Sequence, residues 1–237
     1  MTDIQGSVNW PDDFSGRVKL FPLPNLVLFP HVVQPLHIFE PRYCEMLADA
    51  LNSDRLIASA LLHPGWEADV FDCPAIENTV CIGKVISHSP TDDNRHNILL
   101  VGLKRARIVR EIESATLYRQ AEVSLLEDYY PSGGDSQRKE IQERLQELFS
   151  TYVPGGVAAQ ESFKQLVGKQ LPLGILTDTI TYALSLPLTI KQQLLAEHNV
   201  EVRSRLLIRC LEQKVSGNER NQSEPLRDEF PPRFSEN

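Results

Sequence analysis

The stretch LFPLPNLVLFPHVVQPLHIFEPRY, residues 20–43, restricts the fold more than any other part of the chain. Its Phe, Leu, Val and Ile content favours pleated, half-buried backbone. Yet Pro22, Pro24, Pro30, Pro35 and Pro41 fall inside or beside it, and each removes a backbone donor and fixes φ. One long strand is therefore ruled out. The stretch divides instead into short extended pieces at 18–21, 26–29 and 32–38. Pro22, Pro24 and Pro30 are expected at corners, where a missing N–H costs little, and Pro35 on a sheet edge or at a bulge. Short strands with sharp corners suit a small barrel better than a flat open sheet.

Pro41 has another role, because it stands where a first helical turn begins and its fixed φ helps. Tyr43, Met46, Leu47, Ala50 and Leu51 follow at i, i+3, i+4, i+7 and i+8, one face of an amphipathic helix. Strand character returns in RLIASALLH, TVCIGKVISH, RHNILLVGL, KRARIVREIE and LYRQAEVSLL, with SPTDDN as the turn of a hairpin. About seven short strands and one early helix give a mostly β first domain over 17–128, after a flexible arm at 1–16. YYPSGGDSQ supplies a linker at 129–136. From there the apolar period is helical. Ile141, Leu145, Leu148 and Phe149 form one stripe, 162–170 a second helix, and further helices run to the break at Pro187, over 189–197 and over 200–215. The expected bundle spans 137–215, and the polar, proline-spotted tail 216–237 is expected to be disordered.

Composition narrows the function. A formal net charge of −8 on 237 residues gives no global attraction to phosphate, which argues against a general nucleic-acid binder. The acidic opening MTDIQGSVNWPDDFSG has no basic or apolar leader region, and no apolar run approaches the roughly 20 residues of a membrane-spanning helix. Cys44, Cys73, Cys81 and Cys210 include no CxxC pair and are read as reduced thiols. A cytoplasmic protein with no membrane contact is expected.

VKLFPLPNLVLFPHVVQPLHIFEPRYCEMLADAL, CIGKVISH, NILLVGLKRARI and the closing ITYALSLPLTIKQQLLAEHNVEVRSRLLIRCLEQ together resemble the N-terminal domain of Lon proteases, over roughly residues 18 to 215. The resemblance implies an α+β fold: a PUA-like, mostly antiparallel β pseudo-barrel with one early helix, followed by a C-terminal helical bundle. It also implies a free-standing, non-catalytic substrate-binding domain. No G-x-x-x-x-G-K-[ST] loop occurs, and nothing resembles the Ser–Lys segment of Lon. His31 stands where the family commonly has Gly after the Phe–Pro pair.

The chemistry-bearing residues are sparse. There is no G-x-S-x-G elbow. Cys73, Cys81, His88 and His96 match no zinc spacing, so neither a metal nor a cofactor is expected. Lys104, Arg105, Arg107 and Arg110 invite an RNA-binding reading. The competing one is structural, with guanidiniums bridging to carboxylates such as Glu111 or Glu113, and no alternating aromatics offer base stacking. Trp66 and Phe71, in the loop HPGWEADVFDCP, are candidate peptide anchors together with Phe29, unless they cap the barrel end. The expected partner is an unfolded or specific polypeptide, held alone or for a separate ATP-dependent protease.

Overall fold

The structure, a computed structural model, describes residues 10–69, 73–91, 93, 95–152 and 171–218. Its strands are β1 (Arg17–Leu23), β2 (Val33–Ile38), β3 (Leu56–Leu61), β4 (Thr79–Thr91), β5 (Arg95–Ile112) and β6 (Gln120–Leu126). Its α-helices are α1 (Pro41–Leu51), α2 (Asp135–Ser150), α3 (Leu173–Ala183), α4 (Leu188–Ala196) and α5 (Val200–Asn218). Two compact units result. Of the described residues, one unit comprises those through Glu127 with Pro187–Ala196, and the other those from Asp128 to Leu186 and from Glu197 on.

In the first unit the strands follow the order β2-β5-β4-β3-β1-β6, and β6 also pairs with β5. That last pairing closes β1, β3, β4, β5 and β6 into a ring. Only β1 and β3 run parallel, from Leu20 beside Ala58 to Leu23 beside Leu61. The 18-residue β5 makes the closure possible. Its first half lies between β2 and β4, and its second half between β4 and β6. Register shifts at Ile82/Gly83, Val85/Ser87 and Ile108/Arg110 supply the extra coiling that a tight ring needs.

Five strands enclose little volume, and the lining follows from that. Ala58, Ala60, Ala106 and Ala121 are fully buried inside, interleaved with Val18, Leu20, Leu56, Val80 and Ile82. Trp10 and Phe14, edge to face with centroids 4.7 Å apart, pack against this core, as does Trp66. Trp10 and Phe14 precede β1 whereas Trp66 follows β3. Since those strands are parallel, the aromatics close opposite ends of the barrel. α1 buries Tyr43, Met46, Leu47 and Ala50, the stripe its spacing predicts, with the Tyr43 ring 4.6 Å from that of Phe21.

The prolines are partly where the pattern puts them. Pro22 is not at a corner but inside β1, beside Ala60. Leu62 N–H donates to the carbonyl of Leu23, so the backbone of residue 22 turns away from β3. β6 pairs with β1 only at Arg17, Val18 and Lys19, which among the described residues leaves no strand on that side of Pro22. Its carbonyl instead faces the Tyr43 hydroxyl, 3.5 Å away. Pro35 lies in β2, which among the described residues is an edge strand paired only with β5. Gly102 N–H donates to the carbonyl of Val32, so even-numbered residues of β2 turn their backbone toward β5 and odd-numbered ones toward the open side. The N–H that Pro35 lacks would have pointed into the open side.

Residues 26–29, expected as a strand, form none. Val27, Leu28 and Phe29 are buried in an irregular segment crossing β5 at Gly102, where an added Cβ would lie 2.0 Å from the Phe29 carbonyl oxygen. His31 ends this crossing with φ of 64°, donating its N–H to the Gly102 carbonyl.

Helix α4, expected inside the bundle, groups with the sheet. The Gln192 amide donates to the Thr79 carbonyl at 2.8 Å, and Leu194 and Leu195 are buried. In the second unit α2, α3 and α5 pack together, and the residues after β6 are tied to the start of α5. Tyr129 N–H donates to His198, and Val200 N–H donates back to Tyr129. Arg203, completely buried, reaches Asp128 with two nitrogens and the Glu197 carbonyl, and faces Asp178 across 3.2 Å. The expected helix at 162–170 lies outside the described residues, as does the tail beyond the end of α5.

Candidate functional site

The two groups of sequence-derived candidates meet different fates. Phe29 has 0% of its surface exposed beneath the Gly102 crossing, so it offers nothing to a ligand. This corrects its expected place as an anchor: the close approach that Gly102 permits seals the ring in. Trp66 opens a short 3₁₀ turn, Trp66–Asp69, and is half-buried against the barrel core. Phe71 lies outside the described residues.

The basic strand is largely neutralised. Both Glu127 carboxylate oxygens accept from Lys104 Nζ at 2.8 Å. Arg110 makes a two-pronged pair with Glu122, at 2.9 and 2.6 Å. Arg105 is 3% exposed, and its Nε donates to the Leu195 carbonyl at 3.0 Å, so this side chain secures α4 to the sheet. Only Arg107 is exposed with no ion pair among the described residues. Cross-strand carboxylates on β6 and at its end do the bridging, whereas Glu111, one of the two acceptors expected, takes Arg119 at 2.5 and 2.7 Å. A sheet returning antiparallel places i and j side by side at separations that a local reading of KRARIVREIE cannot reveal.

The thiol and imidazole candidates do not converge as a set. Cys81 is buried in β4 and Cys73 is exposed. His88 and His96 do meet across β4 and β5, with Nε2 and Nδ1 2.9 Å apart. Burial, then the charge on His96 and on Arg55, holds the His88 imidazole below its ordinary pKa.

What sequence reasoning missed is the outer face of the sheet extension formed by β2 and the adjoining halves of β4 and β5. Val33 stands beside Val101, Pro35 beside Leu99, and His37 beside Asn97, all on one face. Val33 is 45% exposed and Leu99 36%, with Pro35 half-buried between them. Ser87 and Ser89 continue this face onto β4, opposite Leu99 and Asn97. The His37 ring stacks on Phe39 and shares a 2.8 Å hydrogen bond with Asn97 Oδ1, which fixes the polar end of the strip. The signal was present: a proline inside a strand marks an edge, and Val33 and Pro35 are apolar at alternate positions that the buried Leu36 and Ile38 do not share.

Comparisons with known proteins agree on the lineage. The family model for the ATP-dependent protease La (LON) substrate-binding domain matches residues 17–213. A Lon protease of Heliobacterium modesticaldum is 28% identical over 229 residues, covering 90% of this chain and 27% of the relative. One from Buchnera aphidicola is 25% identical over 206 residues, covering 85% of this chain and 26% of the relative. The chain thus spans about a quarter of the length of these curated relatives. Among solved structures, the N-terminal domain of Mycobacterium avium complex Lon protease superposes with a TM-score of 0.66 at 17% identity, covering 83% of this chain and 98% of that one. A Lon N-terminal domain protein from Xanthomonas campestris gives 0.54 at 18% identity, with 84% and 97% covered. The mixed α+β fold, with its ring of strands and following helices, is that of Lon N-terminal domains, and the chain belongs to the Lon substrate-binding domain family.

Proposed function

We propose that this chain holds extended or unfolded polypeptide segments on the outer face of the β2–β5 edge, without catalysing a reaction itself. The observation that carries the reading is the strip Val33–Pro35–Leu99. It is an apolar surface on a rigid sheet, rimmed by Ser87, Ser89, His37 and Asn97, in a chain of the substrate-binding family. Side chains at alternate positions of an extended peptide would rest on it, and the serine and asparagine rim would meet the peptide's polar groups. Trp66 is assigned to closing the barrel, because its ring contributes to the same core as the interior alanines. Delivery to a separate ATP-dependent protease is the role that the family description supports.

The test is fluorescence anisotropy of a labelled, permanently unfolded polypeptide titrated with the purified chain at two salt concentrations. Saturable binding that barely responds to salt is expected, weakened roughly tenfold or more in Val33→Ser/Leu99→Ser with the melting temperature kept. Binding lost in Trp66→Ala with an unchanged melting temperature would move the site to that loop. RNA binding falling steeply with salt would restore the basic-strand reading, for which Arg107 alone is a weak basis.

A further inference from the structure

The His88–His96 pair has no part in that reading, and its geometry points to a divalent transition-metal site. We propose that these two imidazoles chelate a copper(II) or nickel(II) ion, bridging β4 and β5 at the sheet extension.

The two nitrogens present a chelating bite. His88 Nε2 and His96 Nδ1 are 2.9 Å apart, with ring centroids 5.0 Å apart and planes tilted by 37°. Two imidazole nitrogens at that separation, each about 2.0–2.1 Å from a common metal, enclose an N–metal–N angle of about 90°. That is the cis angle of square-planar and tetragonal centres, the geometry copper(II) and nickel(II) adopt with nitrogen donors. The nitrogens now share a hydrogen bond, so chelation turns both rings about χ2, a broad torsion that tolerates such rotation.

The surroundings are largely apolar. Ile38 and Pro90 stand opposite His96, and Ile98 stands opposite His88, so the neighbours in register are apolar. Arg55 is the charged group that opposes a cation, which favours exchangeable rather than permanent binding. Among the described residues no third His, Cys, Asp or Glu completes a cluster, so water would fill the remaining positions.

Copper(II) titrated into the whole purified chain, followed by electron paramagnetic resonance, should give one equivalent with splitting from two nitrogens. His88→Asn and His96→Asn should each weaken binding roughly tenfold or more. In the unmutated chain, substoichiometric copper(II) should broaden the imidazole NMR signals of His88 and His96 before those of His31, His37, His63 and His198. Binding that survives intact in His88→Asn/His96→Asn would overturn the proposal, as would broadening that begins at any other histidine.

Discussion

Replacing Arg203 by Met should destabilise the helical unit by about 3–5 kcal/mol, the usual cost of removing one partner from a buried ion pair. The guanidinium is completely buried and donates to Asp128 Oδ1 at 3.0 Å, Asp128 Oδ2 at 2.8 Å and the Glu197 carbonyl at 2.8 Å. Its Nε is 3.2 Å from Asp178 Oδ1, an ion pair rather than a well-aligned hydrogen bond. The two carboxylates respond differently to its loss. Asp128 keeps 27% of its side chain exposed and can be rehydrated. Asp178 is 1% exposed and cannot. Most of the loss therefore arises at Asp178, and adding Asp178→Asn to Arg203→Met should recover roughly half of it. Urea unfolding followed by far-UV circular dichroism measures both effects. Trp10 and Trp66, both in the sheet unit, report by fluorescence whether the damage stays in the helices. A loss under about 1 kcal/mol, or no recovery in the double variant, would refute the assignment of the penalty to the buried Asp178 carboxylate.

Gly102→Ala should lower the melting temperature by roughly 6–12 °C, because its Cβ would meet the Phe29 carbonyl and backbone must move. His31→Gly should raise stability by about 0.5–1 kcal/mol in chemical denaturation, since φ of 64° costs a side-chain-bearing residue more than glycine's added chain entropy. His88 takes up its proton less readily folded than unfolded, chiefly through burial, with His96 and Arg55 adding to it. Its contribution to stability is thus fully present above about pH 6.5 and is lost as the pH falls through its lower folded value. His88→Asn should flatten that part of the stability–pH curve.

The early helix was legible because its stripe of Tyr43, Met46, Leu47 and Ala50 is a local property. The edge position of Pro35 was legible for the same reason, since a missing donor has few places in a sheet. What could not be read were facts created by distant partners. Phe29 is sealed by a glycine 73 positions later, and residues 26–29 stay irregular because they cross a strand rather than join one. Arg110 finds Glu122 through antiparallel pairing, and Arg105 finds the end of α4 at Leu195. Helix α4 has a bundle-like sequence, yet the buried amide of Gln192 binds it to Thr79 and Arg105 holds its end. The strip at Val33 and Leu99 escaped notice because NILLVG is apolar on both faces, and only the register shows which face is bare.

The open side of β2 bears on a hazard shared by all surfaces that meet unfolded chains. An apolar face beside a free row of backbone donors and acceptors is also a template on which strands stack and fibrils grow. At Pro35 that row is broken on the side where a new strand would dock, while the Val33 and Leu99 side chains remain available on the face. On the proposed reading, a captured chain would rest there but gain no continuous ladder to extend, so one imino acid would separate reversible holding from seeded aggregation.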